Sequence, residues 1–282
     1  MKTKFTTILC TVLIMSLCFA LVGCNSGNQE DQEVNSETNA VSDQKDIKIG
    51  CVPASEPGLK FIQEGMAELG YNVEIVMFDG NNVPATALKD GNLDGVLANH
   101  LPWLNTFNKE NNCNLEMLQP YFYYSPMSLY SLKHDSIEAL PENAEIVVPG
   151  DGTNMDRSLK MLRDAGLITL GEKKGVFYTI LDIAENPKNI KIIEAEITTT
   201  ARSAQDVDAV IAVAFIAKSA GIDPNDYLFR AQDYSEFPIG VFVNGDKPKE
   251  DWTKAIGEVI KSDKLRTAFD QTFEGTYVLF DK

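Results

Sequence analysis

Short apolar runs alternate with helix-length amphipathic runs beyond position 45, and this limits the fold more than any other feature. Ile47 to Val52 reads as a strand. Ser55-Glu56-Pro57 opens a helix with Leu59, Ile62, Met66 and Leu69 on one face, and Gly70 ends it. Val73 to Phe78 is a second strand, and Pro84 begins a short helix through Leu88. Gly91 to Ala98 gives a turn and a third strand. Strands this apolar, separated by helices, predict an α/β fold whose sheet is parallel and covered on both faces.

Parallel sheets bind ligands in the loops at the carboxyl ends of their strands. Here those loops are residues 53–55, 78–82 and 99–103. His100 and Trp103 lie in the third. A lone histidine after a strand is more often a structural hydrogen-bonder than a ligand contact. Trp103 offers a rigid apolar face with one donor for a pocket, or core packing beneath the next helix. In Tyr121-Phe122-Tyr123-Tyr124, strand packing accounts for every other ring, and the remainder must face something else, such as a cleft. Met127 to Leu132 and Phe237 to Val243 read as two extended crossing segments, and His134 as a solvated residue in a charged turn.

Between the crossings, Ile146 to Pro149 is a buried strand that runs through Gly150-Asp151-Gly152 into a helix. Thr153 is the expected N-cap, with Asp156 in the place of a capping-box acid. A helix N-terminus leaves N–H groups unpaired and favours an anion. Arg157 adds a planar fork suited to a carboxylate, and Asn154 a neutral donor or acceptor. The stretch reads as a carboxylate clamp. An ordinary capped helix with a solvent-facing arginine would have the same sequence.

The stretch Thr153-Asn154-Met155-Asp156-Arg157-Ser158-Leu159 resembles the strand–Thr-Asn-x-x-Arg-Ser-Leu–helix of the NlpA/MetQ family of lipoproteins, the methionine-binding components of ABC importers. The similarity continues through Gly166-Leu167-Ile168, Thr179 to Ile183, Asn186 to Ile192 and Arg202-Ser203, and upstream through His100-Leu101-Pro102-Trp103-Leu104. It covers about residues 46 to 282. It implies a two-lobed (type II) periplasmic-binding-protein fold, with two hinge-crossing strands and a ligand cleft between the lobes. Residues 46–126 plus 240–282 are expected to form one lobe and residues 127–239 the other. The resemblance implies no cofactor, and as partners a small methionine-like ligand and an ABC permease with its ATPase. The ligand contacts expected are Arg157, Asn154, His100, Trp103, Asn81, Tyr123, Val213 and Gly240.

The beginning of the chain supports an exported lipoprotein. Lys2 and Lys4 precede a mostly apolar run from Phe5 to Val22, short and wrongly flanked for a membrane span. Leu21-Val22-Gly23-Cys24 resembles a lipobox, so residues 1–23 are expected to be a signal peptide and Cys24 to take the lipid; an uncleaved anchor is the other reading. Either way the body lies outside the cytoplasm, lipid-anchored to the cell membrane on the first reading. Residues 24–45 hold no aromatic residue and read as a flexible tether. Loss of the leader takes the formal charge from −16 to −18, which disfavours nucleic acid and anionic lipid. Of five cysteines, Cys51 and Cys113 remain unmodified, and both read as small buried hydrophobes.

Several positions depart from the family's methionine pocket. An aromatic falls on Asn81, a phenylalanine on Ala98, one asparagine on Val213 or Ala214, and another on Gly240. Ala98 and Gly240 leave volume for a larger ligand. Either Asp79, Tyr123 or Glu236 then holds the ligand's amine, or the ligand is no free amino acid but a methionyl peptide or derivative. The chain reads as a binding protein and not an enzyme. The rival is a Cys51/His100 pair at the edges of the first-lobe strands, which lacks an evident orienting residue. A metal-capturing role has only His100 and His134 to draw on, with no zinc-like spacing. An adhesion or sensory lipoprotein with a vestigial cleft is a further reading.

Overall fold

The computed structural model describes residues 46–280. The proposed leader, Cys24 and the tether lie outside the described residues. Two sheets organise the described chain. The first is built on β1 (Asp46–Cys51), which pairs in parallel with β2 (Asn72–Met77) and β3 (Gly95–His100). Helices α1 (Glu56–Glu68), α2 (Val83–Lys89) and α3 (Leu101–Asn111) follow these three strands. Of the apolar face read in α1, Leu69 lies at the C-cap and is 48% exposed, while Leu59, Ile62 and Met66 are fully enclosed. Each contributes roughly 1.5–3 kcal/mol by leaving water, as an upper bound.

The sheet is not wholly parallel. Of the next strands, β4 (Leu115–Met117) and β5 (Tyr123–Tyr124) both pair with a late strand, Ile239–Asn244, which runs antiparallel to them and to β3. The chain re-enters this sheet from the far lobe, so its direction is reversed. Helices and strands of the second lobe come between. These are β6 (Met127–Tyr130), β7 (Glu145–Pro149), α4 (Gly152–Asp164), β8 (Thr169–Leu170), β9 (Ile183–Glu185), β10 (Lys191–Ala195), β11 (Ala209–Val213), α5 (Ala214–Ser219) and β12 (Phe229–Arg230). The returning strand is β13, followed by α6 (Asp251–Lys261), α7 (Asp263–Phe273) and β14 (Val278–Leu279).

The first sheet has the order β14-β5-β13-β3-β1-β2, and the second β10-β7-β11-β6-β12. In the second, β7 is parallel to β10 and β11, while β6 is antiparallel to β11 and β12. Each sheet has an apolar cluster on either face. The chain therefore has two lobes, each with its own core.

The crossings are shorter than the sequence suggests. Met127 to Tyr130 is a strand inside the second sheet, so the outward crossing is Ser125-Pro126 alone. The return occupies residues 231–238. The return touches the end of β5, next to the outward crossing, where Tyr124 stacks on Tyr234, ring centroids 5.0 Å apart. The aromatic run also departs from simple alternation. Phe122 and Tyr123 are both buried, packed with Phe269, because β5 is too short to impose a two-residue repeat. His134 is half-buried, not simply solvated as expected: its Nε2 lies 2.9 Å from Oδ1 of Asp208, whose Oδ2 accepts from the backbone N–H of Glu145.

Candidate functional site

A cleft opens between the lobes, lined by side chains of both. Its first-lobe wall includes Ser55, Asn81, Ala98, Asn99, His100 and Tyr123. Its second-lobe wall includes Asn154, Arg157, Thr198, Val213 and Ile216, and the return crossing adds Phe237. Arg157 is the sole charged residue among those lining it, apart from any protonation of His100.

The N-terminus of α4 is capped by Asp151, not by Thr153. Asp151 has extended backbone, and its carboxylate accepts from the Asn154 N–H at 3.0 Å and the Thr153 hydroxyl at 2.8 Å. Gly150-Asp151-Gly152 is the turn, and its acid reaches the free N–H groups first. Asp156 makes no capping box. It accepts from the Tyr178 N–H at 2.7 Å and pairs with Lys160 and Lys173, which ties the 173–182 loop to α4.

The Asn154 side chain is used within the protein. Its Nδ2 donates to both Asp151 oxygens, at 3.1 and 2.9 Å, and its Oδ1 lies 3.2 Å from Nε2 of His100. Nδ1 of His100 accepts the backbone N–H of Trp103 at 3.1 Å, capping α3. A neutral ring accepting at Nδ1 carries its proton on Nε2, so His100 donates to Asn154. This hydrogen bond joins the two lobes. Burial, followed by the charge of Arg157, lowers the His100 pKa from 6.5 to about 4.

Arg157 is 3% exposed, and its fork is already engaged. Nε donates to Oδ2 of Asp233 at 2.6 Å and Nη2 to Oδ1 at 2.8 Å. The Phe237 ring lies 4.2 Å from the guanidinium carbon and meets His100 edge-on at 5.0 Å. Both features that read as an anion trap, the helix N-terminus and the arginine fork, thus hold carboxylates of the protein itself. Asp233 had no signal in the sequence beyond being one acid among many in a polar connection.

The remaining expected residues divide. Asn81 lines the cleft and donates to Oδ1 of Asn99 at 2.6 Å. Tyr123 lines its floor against Tyr277, 4.7 Å between centroids, and burial raises its hydroxyl pKa. Val213 and Ala98 line it too. Trp103 and Gly240 are outside it. Trp103 stacks on Phe107 in the apolar cluster under α3, and a β-carbon on Gly240 would meet Met117. Asp79 and Glu236, considered as amine partners, are exposed and do not line the cleft. Ser55 lines it from the first of the three loops expected to bind ligand, and Ile197, Ile239 and Tyr277 line it without having been singled out.

Cys51 is fully buried, with its thiol 3.3 Å from the Met77 sulfur, and Cys113 is also free. Burial pushes the Cys51 thiol up to about 12, the opposite of what a nucleophile needs. Among the described residues no group of His, Cys, Asp and Glu is placed to hold a metal ion, and no helix is long and apolar enough to cross a membrane.

Residues 47–279 match the family model for NlpA lipoprotein. The chain is 31% identical over 281 residues to the D-methionine-binding lipoprotein MetQ of Escherichia coli, covering 98% of each. It is similar in structure to a nutrient-binding protein from Burkholderia cenocepacia bound to methionine, with TM-score 0.78 and 29% identity, covering 83% of this chain and 100% of that one. It is also similar to the substrate-binding protein of a methionine transporter from Streptococcus pneumoniae, with TM-score 0.77 and 31% identity, covering 84% and 96%. With this agreement over nearly all of both lobes, the chain belongs to the NlpA lipoprotein family.

Proposed function

We propose that the cleft captures methionine, in D or L form, or a closely related zwitterion, and delivers it to an ABC permease driven by its ATPase. The observation that carries this reading is Arg157, buried in a wall that is otherwise apolar or neutral. A guanidinium has five N–H donors, and Asp233 takes two. The others are free to bind a ligand carboxylate end-on. Tyr123, Ile216, Phe237 and Tyr277 supply apolar surface for a thioether side chain. The names of the relatives point to the same ligand. An amine would meet the neutral acceptors of Asn81 and Ser55.

Differential scanning fluorimetry with L-methionine, D-methionine, a methionyl dipeptide and deaminated methionine tests the reading. A ligand at a hundredfold excess over its Kd stabilises the folded state by about 2.7 kcal/mol. A clear rise in Tm with either methionine is the expected result. A rise with the dipeptide alone would move the function to peptide capture, and no shift with any of the four would overturn the reading. Attachment to the membrane through lipid on Cys24 belongs to the same proposal. Cys24→Ala is expected to abolish labelling by a palmitate analogue, and persistent label would remove the anchor assignment.

A further inference from the structure

The charges beside the cleft are already balanced, and this has a consequence for the ligand. The Asp151 carboxylate faces the positive end of α4, and the Asp233 carboxylate faces the guanidinium of Arg157. His100 is neutral at neutral pH. Asp233 belongs to no strand or long helix. It sits in the return crossing, one residue before Tyr234, whose ring is stacked on Tyr124 at the end of β5. The Phe237 ring then covers one face of the guanidinium. Arg157 is therefore fixed along one edge and one face, and among the described residues its only hydrogen-bond acceptor is Asp233.

A carboxylate binding the remaining edge would put two negative groups on one positive group. In a closed cleft that excess charge is costly, because a buried unpaired charge loses its hydration without compensation. A ligand that brings its own ammonium restores neutrality. A ligand that brings only a carboxylate does not. We infer that Asp233 is a specificity-determining residue: by occupying the two-point edge of Arg157, it makes the cleft accept a zwitterion and reject a simple anion of the same shape.

This inference rests on the proposed function, since it requires that the cleft bind a small carboxylate. Calorimetric titration separates the two. The probes are L-methionine, a zwitterion, and 4-(methylsulfanyl)butanoate, the same skeleton without the amine. Wild-type protein should bind L-methionine at least tenfold more tightly. In Asp233→Asn the acid is lost and the balance reverses, so the preference should fall by tenfold or more, chiefly through tighter binding of the anion. Asp233→Glu should retain the wild-type preference. If Asp233 merely props Arg157 in place, Asp233→Asn weakens both probes by the same factor, and the inference is overturned. Equal binding of the two probes by wild-type protein overturns it without any variant, even if Asp233→Asn does not fold. Binding of neither probe, nor of D-methionine titrated beside them, overturns the proposed function and the inference with it.

Discussion

The two walls of the cleft solve the same problem in different ways. The first-lobe wall carries no formal charge at neutral pH: it is made of strand ends, amides and the rings of Tyr123 and Tyr277. The second-lobe wall is built around a helix start and a buried arginine, yet each of its charged features has a partner from the protein. One wall avoids the cost of burying charge by having none, and the other by pairing it. A site rich in anion-binding features is thus not an anion trap. What it offers is a set of oriented donors at near-zero net charge.

His100 sits on the seam between the walls and gives the comparison its largest test. Its pKa is lowered from 6.5 to about 4 on folding. Between those values the unfolded chain takes up a proton that the folded chain refuses. Its contribution to stability is therefore fully present above pH 6.5 and falls as the pH drops toward 4. The slope is at most about 1.4 kcal/mol per pH unit, or roughly 3 kcal/mol over the window. Urea unfolding of wild-type and His100→Asn proteins from pH 4 to 7 should show this difference in slope. Parallel curves would mean that the seam does not exclude the proton.

The charged wall should be sensitive to shape as well as charge. Arg157→Lys keeps the charge but loses the planar fork proposed to bridge Asp233 and the ligand, and should weaken methionine binding by about 2 kcal/mol. Unchanged affinity in calorimetry would make the guanidinium a structural element only. A smaller effect is expected at the helix start. Asp151→Ala removes the N-cap and frees the Asn154 amide, at a cost of about 1 kcal/mol in stability. Its binding defect should be reproduced by Asn154→Ala, since both changes break the same inter-lobe contact. Separate, unequal binding defects would show that Asn154 meets the ligand directly.

The smallest effect is expected in the core behind the uncharged wall. Cys51, at the end of β1 and held in its neutral form by burial, should react with iodoacetamide at pH 7 no faster than a buried thiol in an inert core. Rapid alkylation of Cys51 would reopen the reading of a Cys/His pair.

Much of this architecture is legible in the sequence because it rests on local patterns. The face of α1, the three parallel strands and the strand-to-helix turn before Arg157 each follow from apolar spacing and turn residues within a dozen positions. The cleft's polar economy is not local. Asp151 outcompetes Thr153 as the cap by a two-residue difference in where the helix begins, and such boundaries depend on the turn's actual backbone. Asp233 reaches Arg157 across 76 positions, and no periodicity encodes that pairing. Trp103 and Gly240 were expected in the cleft through the family resemblance, yet they face α3's core and Met117. Matching a motif places a residue on an element without fixing the side its side chain takes.

In the proposed complex Arg157 bridges an internal carboxylate, that of Asp233, and a ligand carboxylate at once. A crystal structure of the protein grown with L-methionine tests it most directly. The methionine carboxylate is expected about 2.8 Å from the terminal nitrogens of Arg157, with Asp233 still on its Nε edge. A carboxylate bound away from Arg157, or one that has displaced Asp233 from it, would contradict the account.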